Sequence, residues 1–258
     1  MKNLFDLTGK KAVVVGGGGG IGQAIAGGLA FAGADVVIAS RKMETLEAAA
    51  AAIKEETGKD VACLTVDVLD PASIQNLADE CVKLMGTVDI LVNSQGLNKK
   101  VPSLEITAED WDAMFDINVR GTMLACQAFG KIMVEKGYGK IINVSSIRGI
   151  RALNSPGNTC YSSTKGSVDM LTKSLAAEWA KSGVHVNAIG PVITETPMMI
   201  SIFEQNPNLK PMVLGNIPMG RCGLPEDNIG AAIYLASAAS DFVTGQIIYP
   251  DGGSAAIV

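Results

Sequence analysis

Histidine is almost missing: His185 is the only one in 258 residues. A single histidine excludes multi-histidine metal sites, so no metal is expected. Its place in Gly183-Val184-His185-Val186, at the start of a strand, sets it at the wrong end of a sheet for a Ser-His-Asp relay. Cysteine is sparse as well. Cys63, Cys81, Cys126, Cys160 and Cys222 form no CxxC pair and are odd in number, which argues against a disulfide framework or zinc cluster and for reduced thiols in a cytoplasm. There is no excess of positive charge: 21 basic against 26 acidic residues leave a net −5. That disfavours non-specific attraction to nucleic acid or anionic lipid, and a small-molecule substrate fits better. Met1 to Lys10 carries no basic stretch followed by an apolar core, so no secretory signal is expected.

One long uncharged run is present, Ala12 to Ala34, long enough to span a bilayer. Nine of its 23 residues are glycine, a composition a lipid-spanning helix scarcely tolerates, and the membrane reading fails. With 48% hydrophobic residues the chain can fill a substantial core, and its length suits a single α/β domain over residues 1–258.

Periodicity places strand, loop and helix in alternation. Strands are expected at Lys11–Val15, Asp35–Ala39, Val61–Val66, Val88–Asn93, Lys140–Val144, Val184–Ile189 and Gln246–Tyr249. Between them helices are expected at Met43–Thr57, Pro71–Met85 behind an Asp70 N-cap, Trp111–Lys136 behind a Thr107-to-Asp110 capping box, Tyr161–Lys181 and Pro225–Ala238. An earlier helix follows Ile21, with Ala24, Ile25, Gly28 and Leu29 at helical spacing. Seven strands alternating with helices predict a Rossmann-type, doubly wound parallel sheet covered on both faces. Residues 195–220 break the alternation with Pro197, Pro207, Pro211, Pro218 and several methionines. They read as a lid over substrate, the plainer alternative being an ordered surface excursion.

Two features carry chemistry. The run Gly16 to Gly20, followed by Ile21-Gly22, lies between a strand and an amphipathic helix, where backbone and helix amino end can meet a pyrophosphate. Its register is open: Gly17, Gly19 and Gly22 satisfy GxGxxG, while Gly16, Gly20 and Gly22 satisfy GxxxGxG. Further on, Tyr161 and Lys165 stand four apart on one helix face, so an ammonium can favour ionisation of a phenol whose ordinary pKa is about 10. This is acid–base machinery without histidine. Cys160, beside Tyr161, reads as a small packed residue, redox sensitivity being the alternative.

These motifs together resemble the short-chain dehydrogenase/reductase family over nearly the whole chain. The resemblance maps the family's glycine loop onto Val15 to Gly22, with Gly16, Gly18, Gly19, Gly20, Ile21 and Gly22 expected at the dinucleotide. Its adenine-contacting aspartate maps onto Asp67, followed by Val68, and its Asn-Asn-Ala-Gly turn onto Asn93-Ser94-Gln95-Gly96. Pro191, Ile193 and Thr196 match its nicotinamide-side loop, with Val192 where glycine is usual. Its catalytic positions match Asn118, Ser146, Tyr161 and Lys165. In those roles Ser146 would hydrogen-bond the substrate oxygen and Tyr161 would transfer a proton as hydride moves. Lys165 would lower the phenol's pKa and bind ribose hydroxyls, and Asn118 would hold a relay water. Val15 and Ser94-Gln95 depart from the family pattern, so the ties between first and fourth strands are expected to be rebuilt. Two extra residues between Ser146 and Tyr161 fall in a loop, Ile147 to Cys160.

At the end of the second strand, where a carboxylate would select NAD, stands Ser40-Arg41-Lys42. A hydroxyl and a guanidinium suit a 2′-phosphate, so NADP(H) is preferred and NAD(H) remains possible. Lys99, Lys100, Arg148 and Arg151 are candidates to bring charge to the cleft, with Asn98, Lys99, Arg148, Ser146 and Tyr161 expected to touch substrate. Solvated loop cations are the competing reading. The resemblance is strongest to gluconate 5-dehydrogenases, implying a polyol or sugar-acid substrate. The alternatives are a 3-oxoacyl-[acyl-carrier-protein] reductase and a catalytically silent NADP-binding sensor or scaffold. The long helices Trp111–Lys136 and Tyr161–Lys181 resemble those that pair family subunits, implying a homotetramer, with a dimer next.

Overall fold

Lys11-Ala12-Val13-Val14-Val15 forms the central strand β1 (Lys11–Val15), buried along its length except at Lys11, as a β-branched run covered on both faces must be. The computed structural model describes residues 3–153 and 156–257. Met1 and Lys2, in the segment inspected for a leader, and Asn154 and Ser155, in the slack before Tyr161, lie outside the described residues.

Around β1 lie β2 (Asp35–Ser40), β3 (Ala62–Thr65), β4 (Ile90–Asn93), β5 (Gly139–Val144), β6 (Val184–Ile189) and β7 (Ile247–Ile248). They form one seven-stranded sheet in the order β3-β2-β1-β4-β5-β6-β7, with every pairing parallel. The expected Rossmann-type sheet is therefore the observed one. Its strand order reverses between β1 and β4, which opens a crevice beyond their carboxyl ends.

The helices are α1 (Gly20–Phe31), α2 (Met43–Thr57), α3 (Pro71–Met85), α4 (Ala108–Phe115), α5 (Gly121–Lys136), α6 (Thr159–Trp179), α7 (Pro197–Gln205), α8 (Leu209–Leu214) and α9 (Ile229–Ala236). Alternation along β1 sorts them into two layers. Val13 and Val15 face Leu77 of α3, Phe129 of α5 and Leu175 of α6. Ala12 and Val14 face Ile25 and Leu29 of α1, Leu46 and Ile53 of α2, and Leu235 of α9. Asp70 caps α3 by accepting from the Ala72 amide at 2.9 Å, and Thr107 caps α4 by accepting from the Asp110 amide at 3.1 Å.

The expected continuous helix Trp111–Lys136 is corrected. Helical backbone runs unbroken from Ala108 to Lys136, but a π turn over Asp116–Arg120, which carries Asn118, separates α4 from α5. The cause is tertiary: Asn118 turns its amide onto the backbone of Leu97 and onto Thr164, and the wider turn accommodates that. The helix expected at Pro225–Ala238 is shorter, a 3-10 turn at Pro225–Asn228 followed by α9. Residues 195–220 hold the two short helices α7 and α8.

Candidate active site

The glycine loop joins β1 to α1, and sterics choose its register. A Cβ on Gly16 would stand 2.6 Å from the Gln95 amide nitrogen, and one on Gly22 would overlap the Gly16 carbonyl oxygen. Gly20 has φ +53°, whereas a Cβ on Gly19 would meet nothing within 4 Å. A Cβ on Gly17 would come within 2.8 Å of Ile38, so the constrained set is Gly16, Gly17, Gly20 and Gly22, and the freedom of Gly19 leaves GxxxGxG as the register the backbone obeys. Gly18 approaches the Ser40 hydroxyl, and Ile21 packs against the α1 side of the core. Ser94 replaces the family's second asparagine, and its amide donates to the Val15 carbonyl at 2.8 Å, so the first and fourth strands are tied through backbone.

The other expected nucleotide-side residues gather at the same carboxyl ends. Arg41 is exposed and makes no ion pair among the described residues. Asp67 is exposed, its carboxylate accepting from the Leu69 amide at 3.0 Å, and Val68 packs beside Gly121 at the start of α5. Asn93 differs: its side chain points inward, donating to Asn143 Oδ1 at 2.9 Å and tying β4 to β5. Only its backbone faces the crevice side. Pro191 accepts through its carbonyl from the Ile147 amide, Ile193 accepts from Gly223, and Thr196 caps α7 while its methyl lies over Gly20.

Ser146, Tyr161 and Lys165 converge at the end of β5. The Ser146 hydroxyl accepts from the Arg148 amide at 3.1 Å and lies 3.4 Å from the Pro191 carbonyl. Lys165 Nζ sits 5.6 Å from the centroid of the Tyr161 ring and donates to the Val144 carbonyl at 2.8 Å. A Cβ on Gly96 would be 3.7 Å from Asn118 Oδ1 and 3.9 Å from Lys165 Nζ, so the turn after β4 abuts both. Asn118 is fully engaged: Oδ1 accepts from the Leu97 amide at 2.7 Å, Nδ2 donates to the Leu97 carbonyl and to Thr164, and its carbonyl accepts from Thr122.

The electrostatics differ from the expectation in one respect. Burial pushes the Tyr161 phenol above its ordinary value, and the groups that pull it back are a hydrogen bond with Ser146 and the charge of Arg148. Lys165 is not among them. Burial instead lowers the Lys165 ammonium to about 8, with Asp169 opposing. The Arg148 guanidinium is half-buried, donates to the carbonyls of Arg151 and Ala152 at 3.2 Å, and has no carboxylate partner among the described residues. Lys99 spends its charge on Asp110 at 2.6 Å, while Asn98 is exposed.

Sequence reasoning missed several participants. Thr164 and Thr122 hold Asn118, and Gln95 donates to Thr122 at 3.1 Å while its Oε1 is buried without a partner. Asp169 was legible in principle, since it lies one further turn along the face of Tyr161 and Lys165. His185 sits at the opposite end of the sheet, bonded to the Asp241 carbonyl at 2.8 Å. The five cysteines are free, and Cys160 is buried.

A family model described as enoyl-(acyl carrier protein) reductase matches residues 16–255. The chain is 38% identical to the galactitol 2-dehydrogenase of Rhizobium johnstonii over 96% of each protein. It is 35% identical to the gluconate 5-dehydrogenase of Gluconobacter oxydans, covering 97% of this chain and 96% of that one. Among solved structures, a gluconate 5-dehydrogenase from Burkholderia cenocepacia in complex with NADP and tartrate superposes with a TM-score of 0.92 at 36% identity, over 99% of this chain and 98% of the other. Likeness along the full length, together with this strand order and a serine, tyrosine and lysine gathered at the end of β5, makes the chain a member of the short-chain dehydrogenase/reductase family.

Proposed function

We propose that the protein is an NADP(H)-dependent oxidoreductase that interconverts a secondary alcohol and a ketone on a polyol or sugar acid, of the gluconate/5-ketogluconate type. The observation that carries this reading is the convergence of Ser146, Tyr161 and Lys165 opposite a loop whose Gly16 and Gly22 leave no room for a Cβ. A cradle of that kind at the amino end of α1 fits a dinucleotide pyrophosphate, and the exposed, unpaired Arg41 beside Ser40 fits a 2′-phosphate. NAD(H) is the second choice.

When bound, the cofactor supplies the hydride donor or acceptor. The chain does the rest. Ser146 donates its hydroxyl hydrogen to the substrate oxygen, and Tyr161 exchanges a proton with that oxygen, help worth about 10²–10⁴ in rate. Lys165, its ammonium 5.6 Å from the Tyr161 ring centroid, holds the nicotinamide ribose hydroxyls beside the phenol rather than lowering the resting phenol's pKa, and Asn118 braces Leu97 and Thr164 around it. Arg148 reads a substrate carboxylate. Its guanidinium lacks an acidic partner, and a half-buried cation gains most from an anion that arrives with the substrate. Lys99 is a lesser contributor because Asp110 already neutralises it.

Residues 195–220 serve as the lid. Met198, Ile200, Met212 and Met219 are exposed there and would be covered by closure over substrate. Further parts of the reading are a cytoplasmic enzyme, supported by five unpaired thiols, and a homotetramer, supported by the exposed Met170 and Val134 on the outer faces of α6 and α5.

The test is a panel of galactitol, gluconate, 5-ketogluconate and acetoacetyl thioesters, read by NADPH and NADH absorbance. Turnover of polyols or sugar acids is expected. Turnover of thioesters alone would install the 3-oxoacyl-carrier reductase reading, and no turnover would install the sensor reading. Tyr161→Phe should lose at least about 100-fold in hydride transfer while keeping its nucleotide affinity, and Arg148→Ala should raise KM for gluconate more than for galactitol.

A further inference from the structure

Asp169 is a buried carboxylate that the proposed chemistry leaves unused. It is 5% exposed, its Oδ1 has no hydrogen-bond partner within 3.5 Å among the described residues, its Oδ2 accepts a long bond from Tyr249 at 3.4 Å, and the Ser145 hydroxyl also favours its ionised form. Such a group is costly to bury unless a positive charge answers it. The fold nevertheless makes space for it, because a Cβ on Gly149 would overlap Asp169 Oδ2. The turn that follows Ser146 therefore closes against this carboxylate and against α6 only because residue 149 has no side chain.

Two lysines are candidate partners. Lys173, four residues further along α6, is exposed and screened by solvent. Lys165, four residues earlier on the same helix face, is 4% exposed, so the mutual influence of Lys165 and Asp169 acts through protein rather than water. The groups facing Lys165 are few: Tyr161 and Asp169 from α6, the Val144 carbonyl at the end of β5, Asn118 from the π turn, and Arg148 by way of Tyr161. Burial raises the Asp169 carboxyl above its ordinary value, and Ser145 just beyond β5, the charge of Lys173, Tyr249 just beyond β7 and the charge of Lys165 oppose it in that order. Asp169 is the single anion in that set.

We propose that Asp169 is a positioning residue that keeps Lys165 in its ammonium form while Lys165 works behind Tyr161. The inference rests on the functional reading of Tyr161 and Lys165 given above. Its importance follows from burial, which leaves Lys165 near 8 even with the carboxylate present. Removing the negative charge lowers the ammonium's affinity for its proton, so activity that needs the ammonium fails at a lower pH.

The experiment is kcat/KM for ketone reduction, in which Tyr161 starts as the neutral phenol, from about pH 6 to pH 10 in the wild type, Asp169→Asn, Asp169→Ser, Tyr249→Phe and Tyr161→Phe. Asp169→Asn should move the alkaline limb downward by about one pH unit, with activity lost mainly on that side. Tyr249→Phe, which removes a donor but leaves the negative charge, should not move the limb downward. A uniform loss at every pH, or an unmoved limb, in Asp169→Asn would overturn the inference. If Asp169→Asn does not fold, an unmoved limb in Asp169→Ser does so instead. Full activity in Tyr161→Phe would remove the functional reading itself, whereas an inactive Tyr161→Phe with an unmoved Asp169→Asn limb would remove only the role of Asp169.

Discussion

The six glycines from Gly16 to Gly22 look interchangeable in the sequence, yet their surroundings differ. Gly22 faces the Gly16 carbonyl, Gly16 faces the backbone of Ser94 and Gln95, and Gly19 faces open space with an extended backbone, φ 170°. Alanine at Gly22 must push backbone against backbone, and neither side can yield as a flexible side chain would. Gly22→Ala is therefore expected to lower stability by about 1–3 kcal/mol and to abolish nucleotide binding, while Gly19→Ala leaves the fold intact. Thermal melts and nucleotide titrations of the two variants check this. The same reasoning separates Asn93 from its apparent role: its position after β4 was legible, but its side chain belongs to an internal chain running through Asn143 to Thr172.

Elements are defined by periodicity until tertiary contacts interrupt them. The apolar pattern from Trp111 to Lys136 predicts one helix, and nothing in it announces the π turn at Asp116–Arg120, because the partners of Asn118 come from Leu97 and Thr164 far along the chain. Strand ends follow a similar logic. Lys140 enters β5 with a side chain fully buried and bonded to the half-exposed Asp241 at 2.9 Å and to Ser240 at 3.3 Å. Burial lowers the Lys140 ammonium below its ordinary 10.5, with Asp241 opposing. For a base shifted downward, the unfolded chain holds the proton more tightly, so this group's contribution to stability rises with pH between the lowered value and 10.5. The pair is also asymmetric. Asp241→Ala leaves a buried cation without its anion and should cost about 3 kcal/mol, whereas Lys140→Met leaves only an exposed carboxylate and should be near neutral. Denaturant midpoints of the two variants decide the matter, and equal losses would contradict the burial argument.

At the scale of the whole molecule, the proposed site draws on loops from six strand ends, so binding is expected to stabilise the assembled sheet. Saturation at 100 times Kd adds about 2.7 kcal/mol, which for a chain of this size raises the melting temperature by roughly 5–10 °C. Arg41→Ala should diminish that gain with NADPH and leave it with NADH. Equal losses with both cofactors would contradict the assignment of Arg41 to the 2′-phosphate. The sequence by itself determined the alternation of strands and helices, the parallel sheet, the glycine loop and the Tyr161–Lys165 pair, because each is written in local spacing that backbone geometry reads directly. It also pointed to Ser146 and Asn118, through motif order. Only the tertiary structure decided which glycines are indispensable, that α4 and α5 part at Asn118, that Lys99 is neutralised by Asp110, and that Arg148 and Ser146, rather than Lys165, pull the Tyr161 phenol down. Those outcomes depend on distance and burial between residues remote in the chain, and no local pattern encodes them.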